Sequence, residues 1–281
     1  RTMYEFTEDC MIHVEEIDNE HRRLFQMINE ALELVANTED VQSVANSLIK
    51  NLKDYAATHF AHEEAYMERL NDPELPEQKR EHAAFAAKIN AFELDHSSPE
   101  ALRASVQKLL EFLVRWLYHH ILSSDMMIGK IPAASEQTDD QFAFTDKYKT
   151  GIELVDDEHR RLFEIIKDTN DVIHAELLHD KYDEIMRLLA DLREYTEVHF
   201  HDEEELMKRI NYPKLDAQKR AHSAFVERLV EIDLSDLDAM DDNQQEYLTD
   251  LIQFLLSWLS NHILGMDKQI GVYMKEHGIE E

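Results

Sequence analysis

The sequence is poor in the residues that make tight turns and crosslinks. Its 281 residues include five glycines, five prolines and one cysteine, Cys10, where ordinary usage is about 7% glycine and about 5% proline. Because β-hairpins need such residues at their turns, their scarcity predicts long helices with few connections. A single cysteine excludes an intrachain disulfide. No apolar run approaches the roughly 20 residues of a membrane span, and no signal peptide is recognisable.

Basic residues are also scarce. The 29 Lys and Arg are outnumbered by 60 Asp and Glu, which gives a formal net charge of −31. Such a surface repels phosphate backbones and anionic lipids, so neither nucleic acid nor a membrane is an expected partner. Hydrophobic residues make up 43% of the chain, which is too many for an acidic disordered tail. These features predict a soluble, reduced protein of cytoplasmic type.

The chain contains an internal repeat. The hexapeptide at residues 20–25 recurs letter for letter at residues 158–163, and most of residues 78–85 and 112–125 recur at 218–225 and 254–267. We therefore predict two copies of one domain, at residues 1–133 and 141–281. A polar segment, residues 134–140, is the predicted linker.

Each copy has four stripes of apolar residues at helical spacing. In the first copy these stripes begin near Ile17, Leu48, Gln78 and Val106. Ser98, followed directly by proline, predicts the start of the fourth helix. Short connections make neighbouring helices antiparallel. The predicted fold is all-α, with two tandem up-down four-helix bundles, each preceded by an N-terminal arm.

Histidines lie on the apolar stripe of every helix in each copy. Those of the first copy are His21, His59, His82 and His120, and Glu63 lies one helical turn after His59. Burying a carboxylate and several imidazoles costs several kcal/mol unless each has a partner. A lone core histidine is usually structural. The same residues at the same spacings in both copies instead favour a metal site.

Asp125 follows His120 by five residues, about 140° around an ideal helix. It joins the same site only if the helix bulges or the side chain reaches across from the next turn. Imidazole and carboxylate without thiolate suit iron, manganese or zinc, and they are enough for two metal ions bridged by the carboxylates. Phe25, Phe60 and Trp116 either line a dry pocket around the metals or are ordinary core residues.

These motifs resemble the hemerythrin signature over nearly the whole chain. The resemblance implies a non-haem diiron centre with an oxo or hydroxo bridge in each bundle, although ligand type alone does not exclude manganese. The family binds dioxygen reversibly and, in bacteria, often senses oxygen or redox state. The segments that carry the resemblance are Ile17-Asp18-x-x-His21, His59-Phe60-x-x-Glu63-Glu64-x-x-Met67 and Trp116-Leu117-x-x-His120-x4-Asp125, with their second-copy counterparts at 155–159, 199–207 and 258–267.

The resemblance also implies a role for each ligand. In the first copy two histidines bind each iron, and two carboxylates bridge the pair. These are His21 and His59 for one iron, His82 and His120 for the other, and Glu63 and Asp125 as bridges. The corresponding ligands in the second copy are His159, His199, Glu203, His222, His262 and Asp267.

One departure from the family occurs in both copies. The family has a further histidine four residues before His82 and before His222, where this chain has Gln78 and Gln218. Either the amide oxygen binds the metal or a bound water, or each metal keeps an open position. With open positions, we expect easier access for solvent or small anions and faster autoxidation than in a five-histidine carrier.

Two functions stay open at this point. The first is a diiron protein that binds dioxygen, or a related ligand such as a small anion or peroxide, for sensing, storage or delivery. The second is a diiron redox enzyme, namely a ferroxidase, peroxidase or oxidase; metal storage is a third and weaker reading. The sequence begins with arginine, so we expect it to be a piece of a longer protein or a processed product. A fused output domain or a signalling partner would favour the sensing function.

Overall fold

The computed structural model describes residues 4–133, 136–175, 182–230 and 244–281. Within these ranges the chain forms helices and turns and no strand. It divides into two compact units, Arg1–Gly129 and Lys130–Glu281. Of the predicted linker, 134–135 lie outside the described residues, and a 3-10 helix begins at Asp139. The limits 1–133 and 141–281 stay predictions.

The first unit is a bundle of four helices. Asp40 and Ser98 cap the second and fourth helices by accepting hydrogen bonds from the backbone N–H groups of Ser43 and Ala101. The start predicted for the fourth helix is therefore confirmed. The helices are α1 (Glu15–Asn37), α2 (Val41–Arg69), α3 (Leu75–Ala91) and α4 (Pro99–Ser123).

The second unit repeats this arrangement and extends its last helix. The fourth helix is followed directly by one π-helical turn and then by a further short helix, so that the helical structure is continuous. The elements are α5 (Glu153–Ile173), α6 (Tyr182–Arg209), α7 (Leu215–Val230), α8 (Gln244–His262), the π-helical turn Ile263–Asp267 and α9 (Lys268–Glu276).

The apolar stripe of each helix faces the interior of its bundle. In the first unit Phe60 of α2 packs with Phe85 and Ile89 of α3 and with Leu109 of α4. Burial of each such side chain contributes about 1.5–3 kcal/mol. The predicted all-α architecture of tandem bundles is thus confirmed. Among the described residues, no helix combines the length and the apolar character that a membrane span needs.

A buried aspartate ties the N-terminal arm to the first helix of each unit. The Asp18 carboxylate accepts hydrogen bonds from the backbone N–H groups of Ile12 (2.8 Å) and His13 (2.9 Å). Asp156 does the same for Thr150 (2.7 Å) and Gly151 (3.2 Å). His13 and Gly151 both have a positive φ, 64° and 85°, which glycine adopts more readily. The arm therefore enters each bundle at a fixed angle.

Replacing Asp18 with alanine should destabilise the first unit. The change leaves two backbone donors without their acceptor, and this costs about 2–4 kcal/mol. Denaturant unfolding of chelator-treated protein measures the loss. The control is His13→Gly, which introduces the glycine that the second copy has at this position of positive φ. It should change the free energy of unfolding by about 1 kcal/mol or less. An Asp18→Ala variant as stable as wild type would contradict this account of the arm.

Candidate metal centre

The six predicted ligands of the first unit converge at one level inside the bundle. Each helix contributes one histidine, α2 adds Glu63, and Asp125 follows α4. Ligand atoms of His21, His59, Glu63 and Asp125 lie within 4.8 Å of one another, and so do those of Glu63, His82 and His120. All six side chains are buried. The structure therefore assembles the predicted set in one place, although their binding of metal stays a prediction.

Glu63 divides the histidines into two pairs. Its Oε2 lies 3.1 Å from His59 Nε2 and 3.5 Å from His21 Nε2. Its Oε1 lies 3.1 Å from His82 Nε2 and 3.4 Å from His120 Nε2. One carboxylate oxygen thus faces each pair, as a carboxylate that bridges two ions requires.

Asp125 also contacts one histidine of each pair. Its Oδ2 lies 3.1 Å from His21 Nε2, and its Oδ1 lies 3.0 Å from His120 Nε2. The two carboxylates therefore both link a histidine of one pair to a histidine of the other. This arrangement agrees with the pairing that the sequence motifs implied.

The main chain brings the aspartate into the site differently in the two units. In the first unit α4 ends at Ser123 and Asp125 begins a 3-10 helix. In the second unit Asp267 ends a π-helical turn that follows His262. A π-helix repeats at i→i+5, so it places residues five apart on one face. The helix bulge, one of the two alternatives that the five-residue spacing left open, is therefore present in the second unit, whereas in the first unit the helix ends before Asp125.

The second unit reproduces the geometry closely. Glu203 Oε2 lies 3.1 Å from His199 Nε2 and 3.5 Å from His159 Nε2, and its Oε1 lies 3.2 Å from His222 Nε2. Asp267 Oδ2 lies 3.1 Å from His159 Nε2, and its Oδ1 lies 3.1 Å from His262 Nε2. Two different backbone paths thus give the same set of distances.

Several of these buried atoms lack a hydrogen bond among the described residues. In the first unit they include the Nε2 atoms of His21 and His59, Glu63 Oε2 and Asp125 Oδ2. An unsatisfied buried polar atom costs about 1–3 kcal/mol, so such a cluster indicates a missing common partner. Nitrogen and oxygen donors of this kind suit a divalent iron or manganese ion. The residues therefore fit the metal centre that the motifs imply.

An outer set of carboxylates faces the Nδ1 atoms of the histidines. Glu20 Oε1 lies 3.1 Å from His59 Nδ1, and Glu64 Oε2 lies 3.3 Å from His82 Nδ1. Such partners hold the proton on Nδ1, orient the ring and leave Nε2 to face the centre. In the second unit Glu158 and Glu204 occupy the same places, 3.2 Å and 3.0 Å from the corresponding nitrogens.

The sequence motifs did not single out this outer set. The signal that could have found it is the repeat itself, since Glu20 and Glu64 recur as Glu158 and Glu204. The surroundings of Glu20 and Glu158 nevertheless differ. Burial raises the pKa of Glu20, but hydrogen bonds to His59 and His62 outweigh it and lower the pKa.

Glu158 has a carboxylate neighbour where Glu20 has an imidazole. Burial raises the pKa of Glu158, and Asp202, which stands where the first copy has His62, raises it further. The hydrogen bond to His199 opposes these effects without cancelling them. The two units thus share their inner ligands and differ in the groups behind them.

Aromatic rings cover one side of the site. Phe60 stacks on His82 with ring centroids 4.0 Å apart, and Trp116 stacks on His120 at 4.5 Å. Both rings line an apolar cavity of about 40 Å³ in the first unit. Phe25 is buried but packs against Tyr118 and is not part of this lining. Of the three aromatic residues named from the sequence, Phe60 and Trp116 thus line one apolar cavity, and a dry pocket around the metals stays a prediction.

Both glutamines point their amides at the aspartate of the candidate site. Gln78 Nε2 donates a hydrogen bond to Asp125 Oδ1 (3.0 Å), and Gln218 Nε2 donates to Asp267 Oδ1 (3.1 Å). The Oε1 atom of each amide is buried and makes no hydrogen bond with the described part of the chain. Each glutamine therefore lies at the site and has an unused oxygen acceptor there.

Comparison with known proteins agrees with these features. A family model described as "Hemerythrin HHE cation binding domain" matches residues 12–131 and again 150–272. Bacteriohemerythrin of Clostridium acetobutylicum is 34% identical over 128 residues, which cover 46% of this chain and 97% of that protein. Myohemerythrin of Theromyzon tessulatum is 31% identical over 126 residues, 45% of this chain and 88% of that protein. No solved structure gives a significant match.

The site's ionisable groups predict how the metal-free protein responds to pH. Burial lowers the pKa of His120, but the carboxylates of Asp125 and Glu63 outweigh it and raise the pKa from 6.5 to about 10. A pKa that is raised on folding stabilises the folded protein fully below about pH 6.5, and this contribution is lost as the pH rises towards 10. The melting temperature of chelator-treated protein should therefore fall between pH 6.5 and 9.

The metal-loaded protein is the control for this prediction. Metal must displace the protons from the ligand nitrogens, so its affinity increases as the pH rises. Thermal melts with and without metal should therefore diverge between pH 6.5 and 9. A metal-free melting temperature that increases over this range would contradict the charge balance described for His120.

Proposed function

Because the chain belongs to the hemerythrin family, as its motifs predicted, we propose that each unit holds two bridged iron ions and binds dioxygen there. A bound diiron centre supplies the reversible redox chemistry that dioxygen binding needs. The observation that carries the proposal is the buried cluster of imidazole and carboxylate atoms without hydrogen bonds, which occurs in both units.

The proposed roles follow from the distances within the cluster. Glu63 and Asp125 would bridge the two ions, since each has one oxygen near each histidine pair. His21 with His59 would hold one ion, and His82 with His120 would hold the other. The outer carboxylates would keep these imidazole rings in place.

The aromatic side of the site would exclude water and admit an apolar gas. The cavity that Phe60 and Trp116 line is almost entirely apolar, and its walls continue through Phe85 and Leu113. Apolar walls offer water few hydrogen-bond partners and so disfavour its occupancy. Dioxygen is small and apolar, so it can occupy such a cavity without competing with water. This supports dioxygen as the ligand, with small anions or peroxide as further candidates.

The glutamines support oxygen or redox sensing over simple oxygen carriage. Two histidines for each ion would leave a position open unless a glutamine oxygen filled it, and Gln78 Oε1 and Gln218 Oε1 make no hydrogen bond within the described ranges. Open positions of this kind would favour short-lived rather than long-lived binding of dioxygen. The same feature favours the second candidate, a diiron ferroxidase, peroxidase or oxidase.

Removal of one bridging carboxylate should abolish metal binding in one unit only. We expect wild-type protein to hold about four irons per chain, two for each site of this ligand type. Glu63→Ala should hold about two. Glu68→Ala, an exposed position on the same helix, is the matched control and should hold about four. Elemental analysis of anaerobically loaded protein gives the counts. Full iron content in Glu63→Ala would rule out the assigned bridge.

Restoring the fifth histidine should lengthen the oxygenated state. Gln78→His combined with Gln218→His closes the proposed open position in each unit, and we expect a lifetime about tenfold longer, which corresponds to about 1.4 kcal/mol in the barrier to decay. Optical spectra after mixing reduced protein with air measure that lifetime. A wild-type oxygenated form that is already long-lived and fully reversible would contradict the proposed variant site and favour simple carriage.

A further inference from the structure

One pair of corresponding histidines has different partners in the two units. His120 Nδ1 lies 2.9 Å from Glu81 Oε2 in the first unit, which is the distance of a close ion pair, although the two groups are not aligned as a hydrogen bond. Its counterpart in the second unit is His262. Glu81 directly precedes His82, and the residue that directly precedes His222 is Ala221. Alanine has no side-chain acceptor, so the second unit cannot place a carboxylate at this position.

Glu81 also contacts the turn that carries the bridging aspartate. Its Oε1 accepts a hydrogen bond from Ser124 Oγ (3.0 Å), and Ser124 directly precedes Asp125. One carboxylate therefore lies against a proposed ligand and against the turn that holds another. In the second unit Met266 stands in the place of Ser124, and the main chain reaches Asp267 through the π-helical turn.

The other outer carboxylates do not share this difference. Glu20 and Glu158 lie 3.1 Å and 3.2 Å from the Nδ1 atoms of corresponding histidines. Glu64 and Glu204 lie 3.3 Å and 3.0 Å from another corresponding pair. Among the described residues, a carboxylate that faces Nδ1 in one unit thus lacks a counterpart only where Glu81 is matched by Ala221.

A carboxylate on the outer nitrogen of a ligand histidine has known physical consequences. It fixes the ring orientation and the tautomer, and it makes the inner nitrogen more basic. A more basic ligand binds a metal ion more tightly and favours its more highly charged, oxidised state. Loss of such a partner usually lowers metal affinity by about 10–100-fold.

We propose that Glu81 is a positioning residue for His120, and that the first unit therefore holds its metal more tightly and at a lower reduction potential than the second. The inference rests on the proposed diiron function. It makes the two centres inequivalent in one chain, so that they lose metal and change oxidation state under different conditions.

Two single-centre proteins test the inference in the full chain. His159→Ala with His199→Ala leaves the first centre, and His21→Ala with His59→Ala leaves the second. Each is loaded anaerobically with iron(II), and the rate of iron loss to a chromogenic chelator is followed. We expect loss from the first centre to be about 10–100-fold slower. Equal rates would overturn the inference and leave the diiron proposal intact, whereas the absence of iron from both proteins would overturn both.

Exchange of the outer groups tests whether they cause the difference in the rate of iron loss between the two centres. Glu81→Ala in the first-centre protein should speed iron loss to the rate of the second-centre protein. The reverse change, Ala221→Glu with Met266→Ser, should slow loss from the second centre. Glu77→Ala, which removes a carboxylate one turn earlier on the same helix, is the matched control and should leave the rate unchanged. Rates unaffected by Glu81→Ala would overturn the assignment.

The reduction potential of the first centre distinguishes a charge-dependent positioning role of Glu81 from a role in packing alone. Glu81→Gln keeps the size of the side chain and an oxygen acceptor but removes the negative charge. We expect the potential of the first centre to rise in Glu81→Gln, as measured by anaerobic redox titration, and iron loss to be faster than in wild type. A Glu81→Gln protein with wild-type potential and wild-type rate would show that the side chain acts only by packing, and would contradict the inference.

Discussion

Each bundle is organised around two carboxylates that are fully buried among imidazoles. Glu63 and Asp125 have 0% exposure in the first unit, and so do Glu203 and Asp267 in the second. A buried carboxylate is strongly unfavourable unless positive charge and hydrogen-bond donors surround it. The four helices supply one histidine each to meet this requirement. All four helices must therefore pack with their histidines at the same level, so that formation of the site and packing of the bundle depend on each other.

Charge balance links the metal-free and metal-loaded forms. In the absence of metal, burial opposes the protonation of His59 and His120, yet the carboxylates raise their pKa values to about 9 and about 10. Protons then supply the positive charge that the carboxylates need. A metal ion bound at the proposed site would displace those protons and supply the positive charge in their place. Stability, pH and metal binding are therefore coupled through the same buried atoms.

The two units show which features the chemistry constrains. Inner distances agree between them to within a few tenths of an ångström, although Asp125 follows a helix end and Asp267 follows a π-helical turn. The groups behind the ligands differ instead, most clearly at Glu81 and Ala221. The residues proposed as ligands are identical in the two units, whereas the groups behind them differ and, on our proposal, adjust the affinity and the potential of each centre.

Sequence patterns predicted the architecture and the residues that the structure brings together at each candidate site, because every pattern occurs twice in a duplicated chain. Histidines on apolar stripes stood out in both copies, and so did the glutamines that replace a family histidine. The outer carboxylates were harder to recognise, because the repeat preserves Glu20 and Glu64 but not Glu81. Glu20 and Glu81 have the spacing of ordinary surface acids on amphipathic helices, and only the packing of α1 on α2, and of α3 on α4, brings them to His59 and His120. The spacing of Asp125 likewise left its route into the site open, since a helix end and a helix bulge both satisfy it.

We propose that each bundle core binds two bridged metal ions, and anomalous X-ray scattering at the iron edge, from crystals of iron-loaded protein, would locate them. We expect two iron peaks in each unit, with Glu63 and Asp125 between the two peaks of the first unit and Glu203 and Asp267 between those of the second. A single peak in each unit, or peaks outside these carboxylates, would contradict this proposal.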